Sequence, residues 1–325
     1  MTRIRLAVVG SGGMANHRAD KLSAHHGFEV AAVAARNPET GRNLARRLGI
    51  ELVDDWRILI NRDDIAGIVI CTHNEIHGKI ALEALAAGKH VFSEYPVARY
   101  TQECVDLSAV AGGHSPVLRL THNEPLSAMH AAVKEQCEAH GPLRHAHFLR
   151  CTPGRGGRPE VLFNLNLSGP PALFFVYHVY PLVDIFGPAR WVESNAHYEG
   201  LGNDGGYNRF YNTVTAEFVA GGVALWTWAG GIEIEQAEQI QRILLDHATL
   251  IRDGRAWNRS TRSGTQPVEP AETGSRSLED LFYDDITGTS NSWKQDLNTA
   301  IESARIGLAA ERSASEQRRV LLAEL

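Results

Sequence analysis

Ile4-Arg5-Leu6-Ala7-Val8-Val9 runs without a break into Gly10-Ser11-Gly12-Gly13-Met14-Ala15. The first six residues read as a short buried strand. The next six fit the pattern G-x-G-x-x-A, and a helix-like stretch from Asn16 to His26 follows. Strand, glycine turn and helix form the context in which this pattern binds a dinucleotide. Gly10 permits the tight turn, Gly12 lets the backbone approach a pyrophosphate, and Ala15 lets helix and strand pack closely. The pyrophosphate then meets the free N–H groups at the helix start. In isolation the same pattern is an ordinary strand–helix turn, so the units that follow decide its reading.

Those units alternate. Glu29 to Ala35 reads as a second buried strand. Dinucleotide binders place a carboxylate near its end to take the ribose 2′-hydroxyl of NAD. Here the chain continues Arg36-Asn37, with no carboxylate. An arginine suits a 2′-phosphate, so NADP is favoured and NAD stays open. Pro38 starts a helix that ends near Gly49. Glu51 to Val53 is a brief strand, and Trp56 to Asn61 a short helix. Ile65 to Cys71 is a continuous apolar run, as a central parallel strand should be. Thr72-His73-Asn74-Glu75-Ile76-His77 follows it, leading into an alanine-rich helix over Ile76 to Ala87. His90 to Ser93 is a strand ending in Glu94-Tyr95-Pro96, Thr101 to Ala111 a helix, and Pro116 to Leu120 a strand. The alternation predicts a doubly wound parallel sheet, a Rossmann domain, with ligands beyond the carboxyl ends of its strands. Gly10–Ala15, Arg36, Thr72–His77, Glu94–Pro96 and His122-Asn123-Glu124 all fall at that edge.

The whole chain sets limits on this reading. At 325 residues, two domains are expected, divided at 1–121 and 122–325, with room for the C-terminal helix to pack back on the first. A net charge of -6 argues against nucleic-acid binding. No apolar run is long enough to span a membrane, and the first residues lack the h-region of a secretory signal, so a cytoplasmic location is expected. Cys71, Cys104, Cys137 and Cys151 form no C-x-x-C pair, which suits reduced thiols. The 15 histidines form no recognisable ligand pattern, so no metal is expected.

Four stretches carry a family resemblance: V-V-G-S-G-G-M-A-N-H at 8–17, C-T-H-N-E-I-H at 71–77, A-L-A-A-G-K-H-V-F-S-E-Y-P at 84–96, and G-P-L-R-H-A-H at 141–147. The chain resembles the glucose–fructose oxidoreductase / inositol dehydrogenase (Gfo/Idh/MocA) family. The resemblance implies a second α/β domain with an open, mostly antiparallel sheet that forms a substrate wall and a homo-oligomer interface. Two departures stand out. The family's E-K-P is Glu94-Tyr95-Pro96, with tyrosine in place of lysine. Its H-x-x-D has the histidine matched by His178, but Pro181 stands at the aspartate, with Asp184 out of register. E-Y-P is similar to the biliverdin reductase branch, and so are Leu118–Leu126 and Leu182–Gly187.

In the second half, Pro125 begins a helix reaching Ala139, and Arg144 to Cys151 alternates as a strand. Pro153 to Pro159, with Arg155 and Arg158, reads as a basic loop: a lid, an anchor for an acidic group, or a plain crossover. Leu173 to Phe186 reads as a buried helix that Pro181 kinks or splits. Within it His178 is the candidate proton donor, against the alternative of a hydrogen-bonded core histidine. Alternating runs over Trp191–Tyr198, Phe210–Val219, Val223–Ala229, Gln239–Leu245 and Thr249–Arg252 predict the antiparallel sheet. Trp226 and Trp228 share one face, in a core or an interface. Thr261 to Ser277 reads as loop, Asp296 to Leu308 as helix, and Ala314 to Leu325 as a second helix or its continuation.

The expectation is an NAD(P)H-dependent oxidoreductase, NADPH favoured, acting on a small non-sugar C=N, C=C or C=O substrate. Gly10, Ser11, Gly12, Gly13, Met14, Ala15 and Arg36 would bind the cofactor. Thr72, Asn74, His77, Glu94 and Tyr95 would border its ribose and nicotinamide. His178 and Tyr95 are the catalytic candidates. A sugar or polyol dehydrogenase, and a catalytically silent NADP-binding sensor or assembly subunit, are the alternatives.

Overall fold

A computed structural model describes residues 3–113, 116–153, 160–254 and 256–325. The basic loop with Arg155 and Arg158 lies outside the described residues. The chain forms two compact units, Met1–Asn123 with Ser275–Ile301, and Glu124–Gly274 with Glu302–Leu325.

The first unit is built on short apolar strands separated by helices: β1 Ile4–Val9, α1 Gly13–Ala24, β2 Phe28–Ala34, α2 Pro38–Leu48, β3 Glu51–Val53, α3 Trp56–Ile60, β4 Gly67–Ile70, α4 His77–Ala86, β5 His90–Ser93, α5 Thr101–Ala111 and β6 Leu118–Leu120. The six strands pair in parallel in the order β3-β2-β1-β4-β5-β6. This is the expected Rossmann sheet. The chain moves outward from β1 to β3, then crosses back to lay β4 on the other side of β1. The ends of β1 and β4 are therefore the point where strand order reverses, and ligands of open α/β sheets bind there. Leu6, Ala7, Val8, Val33, Ile68 and Ile70 have essentially no exposed surface, which explains their unbroken apolar runs.

In the second unit come α6 Ala128–Ala139, β7 Leu143–Pro153, α7 Leu165–Ser168, α8 Pro171–Phe174, α9 Val176–Phe186, β8 Ala189–Glu199, β9 Arg209–Phe218, β10 Val223–Ile232, β11 Glu238–Leu245, β12 Thr249–Asp253, β13 Ala256–Thr261 and β14 Gly264–Pro267. After these the chain continues through α10 Leu278–Thr287, α11 Trp293–Glu316 and β15 Val320–Leu321. The nine strands form one sheet, β14-β13-β12-β11-β7-β10-β9-β8-β15, antiparallel except for β7 beside β10. One face is core: Ala146, Phe148, Val214, Ala216, Trp226 and Trp228 are buried. Their neighbours along the same strands, such as His147, Leu149, Thr213, Thr215, Leu225 and Thr227, are only partly buried.

Three expectations need correction. Of the two alternatives for Pro181, kinking or splitting its helix, splitting is overturned. Pro181 lies inside α9, and the chain breaks earlier, at Phe175, between α8 and α9. Residues 261–277 are not all loop, because β13 and β14 form a hairpin from Asn258↔Pro267 to Thr261↔Gly264. β14 is an edge strand exposed at all four residues, so it has no buried face and no alternation to read. Finally, the C-terminal stretch is one helix to Glu316 and then a short strand. Val320 and Leu321 pair with Val192 and Trp191.

The return segment from Ser275 is tied into the first unit by buried charge. Arg119 of β6 has no exposed surface. It donates from Nε to Asp285 (2.5 Å), from Nη1 to Asp296 (2.7 Å) and from Nη2 to Ser292 Oγ (2.6 Å). Phe282 stacks on Phe92 at 4.9 Å. A buried guanidinium is tolerable only when its donors are met this fully.

Candidate active site

The glycine turn divides into a residue the protein needs and two that it does not. Gly10 has φ +126, and a Cβ there would lie 2.3 Å from the Cys71 carbonyl oxygen. Its N–H donates to Ala34 O at 2.8 Å. The end of β1 is thus clamped between β2 and the residue after β4, and only glycine fits. At Gly12 and Gly13 an added Cβ meets no atom within 4 Å. Neither glycine is required by internal packing, and both keep the backbone bare where α1 begins. Gly12 is the cap of α1, no side-chain cap bond is made there among the described residues, and no acidic residue occupies the first turn. In contrast, the Asn37 side chain accepts from the Glu39 and Thr40 amides of α2. The start of α1 therefore presents uncommitted donors and a favourable dipole end to an anion. Ala15 is fully buried and Met14 is exposed. Ser11 Oγ lies 2.6 Å from Thr40 Oγ1.

Arg36 and His73 leave the strands on either side of β1 and meet. Arg36 Nη1 donates to His73 Nε2 at 3.2 Å. A guanidinium can only donate, so Nε2 is an acceptor and the imidazole hydrogen lies on Nδ1. Nδ1 is 3.6 Å from Glu75 Oε2. Burial and the Arg36 charge hold the His73 pKa below the usual histidine value, with Glu75 opposing.

Behind this rim, the other crevice residues are occupied by the protein itself. His77 is buried, with Nδ1 3.1 Å from Pro96 O and Nε2 3.1 Å from Thr72 O. It lies between the loop after β4 and the loop after β5; burial depresses its pKa, and the neutral ring has one hydrogen, which it donates to one of these two carbonyls. Thr72 Oγ1 donates to His73 O at 3.2 Å, and Asn74 begins the 3-10 turn Asn74–Ile76. Glu94 accepts from Arg18 Nε (2.7 Å) and from Thr121 Oγ1 (2.6 Å). Arg18 also reaches Glu279 at 3.4 Å. Tyr95 is partly buried and stacks on His122, with ring centroids 4.8 Å apart. Burial pushes the His122 imidazole down to about 3, so that ring is neutral at any physiological pH.

In the second unit, His178 lies in an aromatic nest. Phe148, Phe175 and Tyr177 surround its ring at 4.2 to 5.3 Å between centroids. Trp228 Nε1 donates to His178 Nδ1 at 3.0 Å, and Trp226 Nε1 donates to the His178 carbonyl at 3.0 Å. An indole N–H has no acceptor role, so Nδ1 is the acceptor and the ring hydrogen lies on Nε2. Trp226 and Trp228 have no exposed surface and are core residues. Asp184, out of register in the sequence, accepts from His130 (2.9 Å) and Lys134 (3.0 Å) on α6.

Sequence reading did not single out His73, Arg18, Thr121 or Trp228 as partners. Each acts through a residue far away in the chain, and no local pattern marks it. Among the described residues there is no cluster of three or more His, Cys, Asp or Glu able to hold a metal. Among them, too, no helix is long and apolar enough to cross a membrane.

Comparison with known proteins agrees with this geometry. Residues 4–122 match the profile of a family described as oxidoreductase family, NAD-binding Rossmann fold. Over 72 residues the chain is 43% identical to levoglucosan dehydrogenase of Pseudarthrobacter phenanthrenivorans, covering 22% of this chain and 18% of that protein. Over 210 residues it is 24% identical to scyllo-inositol 2-dehydrogenase (NADP(+)) IolU of Bacillus subtilis, covering 62% and 64%. Both matches span less than two thirds of the relative's length. In fold, the chain is similar to biliverdin reductase of Synechocystis sp. PCC 6803, solved with biliverdin and NADP+. That likeness covers 97% of this chain and 100% of the other, at 22% identity and a TM-score of 0.83.

Proposed function

We propose that the chain is an NAD(P)H-dependent oxidoreductase of the Gfo/Idh/MocA kind, with NADPH favoured, its residues 4–122 matching that family's NAD-binding profile. The carrying observation is the bare backbone at Gly12 and Gly13, set against an uncapped start of α1. When bound, the dinucleotide supplies the hydride. The chain's task is then to bind, orient and manage a proton. Gly10, Ser11, Gly12, Gly13, Met14 and Ala15 hold the pyrophosphate, and Arg36 the adenosine ribose end. Thr72, Asn74, His77, Glu94 and Tyr95 border the nicotinamide end. His77 and Glu94 act there as braces, since their polar atoms are engaged by Thr72, Pro96, Arg18 and Thr121.

His178 is the proposed proton donor. The contact with Trp228 leaves its hydrogen on Nε2, and that N–H serves a C=O, C=N or C=C undergoing reduction. Tyr95 is the second candidate. Tyrosine in the family's lysine position supports a non-sugar substrate, and the fold likeness to a biliverdin reductase agrees with this. Relatives named for levoglucosan and scyllo-inositol support a sugar or polyol dehydrogenase as the second reading. Self-association is proposed through the half-exposed face of the nine-stranded sheet. Light scattering checks it, and a monomer at micromolar concentration would refute it.

The test is NADPH oxidation across carbonyl, imine, conjugated tetrapyrrole and polyol-derived ketone substrates, with wild type and Tyr95→Phe. A large loss of turnover with cofactor affinity unchanged makes Tyr95 the chemical group. Full turnover leaves the task to His178. Stoichiometric NADPH binding without oxidation of any class would overturn the enzyme reading in favour of a sensor.

A further inference from the structure

Arg36 stands two residues beyond β2, and His73 three residues beyond β4. In the sheet these strands flank β1 on opposite sides. Their side chains therefore join across the end of the strand that carries the glycine turn, through the 3.2 Å contact from Arg36 Nη1 to His73 Nε2. The pair rims the same strand-order reversal point as the open backbone of Gly12 and Gly13. Ser11 and Thr40 add two hydroxyls, one from the turn and one from the start of α2. The β2–α2 connection offers no carboxylate before Glu39.

We propose that Arg36 and His73 together form the clasp for the 2′-phosphate of NADP(H), and that its binding adds a proton to His73, so that cofactor choice depends on pH. The inference rests on the cofactor reading of this turn and goes beyond it in assigning His73. In the free protein His73 must be neutral, because its Nε2 accepts from a guanidinium that cannot accept in return. A phosphate dianion reverses this balance. It draws the guanidinium to itself and favours a charged imidazole, which then donates to it. The groups facing His73 are Arg36 from beyond β2, Glu75 on the 3-10 turn and His77 at the start of α4. Glu75 lies on the Nδ1 side, 3.6 Å away, and assists protonation. Arg36 and burial oppose it, and a dianion offsets the Arg36 charge.

The sign follows from linkage. A group whose pKa rises on binding contributes affinity that is present at low pH and lost as pH rises through the bound-state pKa. NAD(H) has no 2′-phosphate and is not coupled to His73. Each pKa unit by which the ligand raises His73 is worth about tenfold in affinity. The phosphate's own second pKa is near ~6, so measurements from about pH 6.5 upward see mainly the dianion.

Calorimetric titration of the full chain with NADP+ and with NAD+, in buffers of different ionisation enthalpy, tests the clasp without any turnover assay. NADP+ is expected to take up a substantial fraction of one proton near neutral pH, and NAD+ none. The ratio of NADP+ to NAD+ affinity should fall about fivefold to tenfold between about pH 6.5 and 9. In His73→Gln, a neutral side chain that still donates, the fall should vanish while NADP+ still binds through Arg36. NADP+ binding without proton uptake and with a flat ratio overturns the clasp alone, as does an undiminished fall in His73→Gln. Failure of either nucleotide to bind overturns the cofactor reading and the clasp with it. The proton-uptake measurement needs no variant, so it decides the matter even if His73→Gln folds poorly.

Discussion

At the turn after β1 the chain withholds side chains, and around His178 it crowds them. Gly12 and Gly13 leave open space beside the first amides of α1. His178 is enclosed by Phe148, Phe175 and Tyr177 and fixed by the Trp228 indole. The first region works through backbone atoms, which are the same in every residue, so its requirement is that nothing intrude. The second works through one imidazole whose tautomer and orientation matter, so its requirement is that nothing move. Residue identity is restricted at the turn by sterics and in the nest by packing, and variants at the two places should fail in different ways.

The largest expected effect is in the nest. Trp228→Ala removes a fully buried indole and the donor to His178 Nδ1. A buried Trp or Phe cut to Ala costs about 3–5 kcal/mol, so the variant should unfold well below the wild-type denaturant midpoint. Trp228→Phe is milder. It keeps most of the ring volume, loses the hydrogen bond and frees the imidazole to exchange tautomers. Nitrogen-detected NMR of histidine should show Nε2–H at His178 in wild type and a tautomer mixture in Trp228→Phe. A pure Nδ1–H form in wild type would contradict the contact with Trp228.

The difference between the two regions also explains how much of each could be read in advance. Gly10 and Ala15 were visible because a strand end pressed on its neighbours admits few residue types, and they lie within six positions of one another. The Rossmann sheet was visible because strands buried on both faces are apolar throughout. The limits appear where a contact joins distant segments. Glu94 was rightly placed at the carboxyl edge of the sheet, yet its oxygens belong to Arg18 and Thr121, which no spacing rule connects to it. Arg119 lies within the Pro116–Leu120 run, and no spacing links it to Asp285 and Asp296, which meet it from the return segment. Pro181 reads as a kink or a split because a proline removes one helical donor. A helix packed in an apolar core can tolerate that loss, and the actual break came at Phe175, which carries no such local signal. The edge hairpin β13–β14 stayed hidden because a strand without a buried face has no period.

Gly10→Ala should have the next largest effect. The new Cβ would lie 2.3 Å from the Cys71 carbonyl oxygen, a backbone atom, at a φ of +126. Left-handed backbone strain costs about 1–2 kcal/mol and overpacking about 1–3 kcal/mol. Loss of roughly 2–5 kcal/mol is expected by urea unfolding, with the strands β1 and β4 losing amide-exchange protection together. A variant of wild-type stability would mean that the end of β1 is not clamped as described.

Gly12→Ala sharpens the comparison most, because it separates what the fold needs from what the ligand needs. An added Cβ meets nothing within 4 Å, and φ is -77 in a region open to any residue. Stability should therefore stay within about 0.5 kcal/mol of wild type, as for an ordinary surface substitution. Cofactor affinity should nevertheless fall, by about tenfold or more, because the methyl group stands where the pyrophosphate must approach the backbone. Calorimetry and urea unfolding on the same sample give both numbers. Loss of stability and affinity together would show that Gly12 is a packing residue like Gly10. Loss of neither would remove the turn from the cofactor site, since a dinucleotide held at the start of α1 cannot be indifferent to a side chain placed between it and the amides.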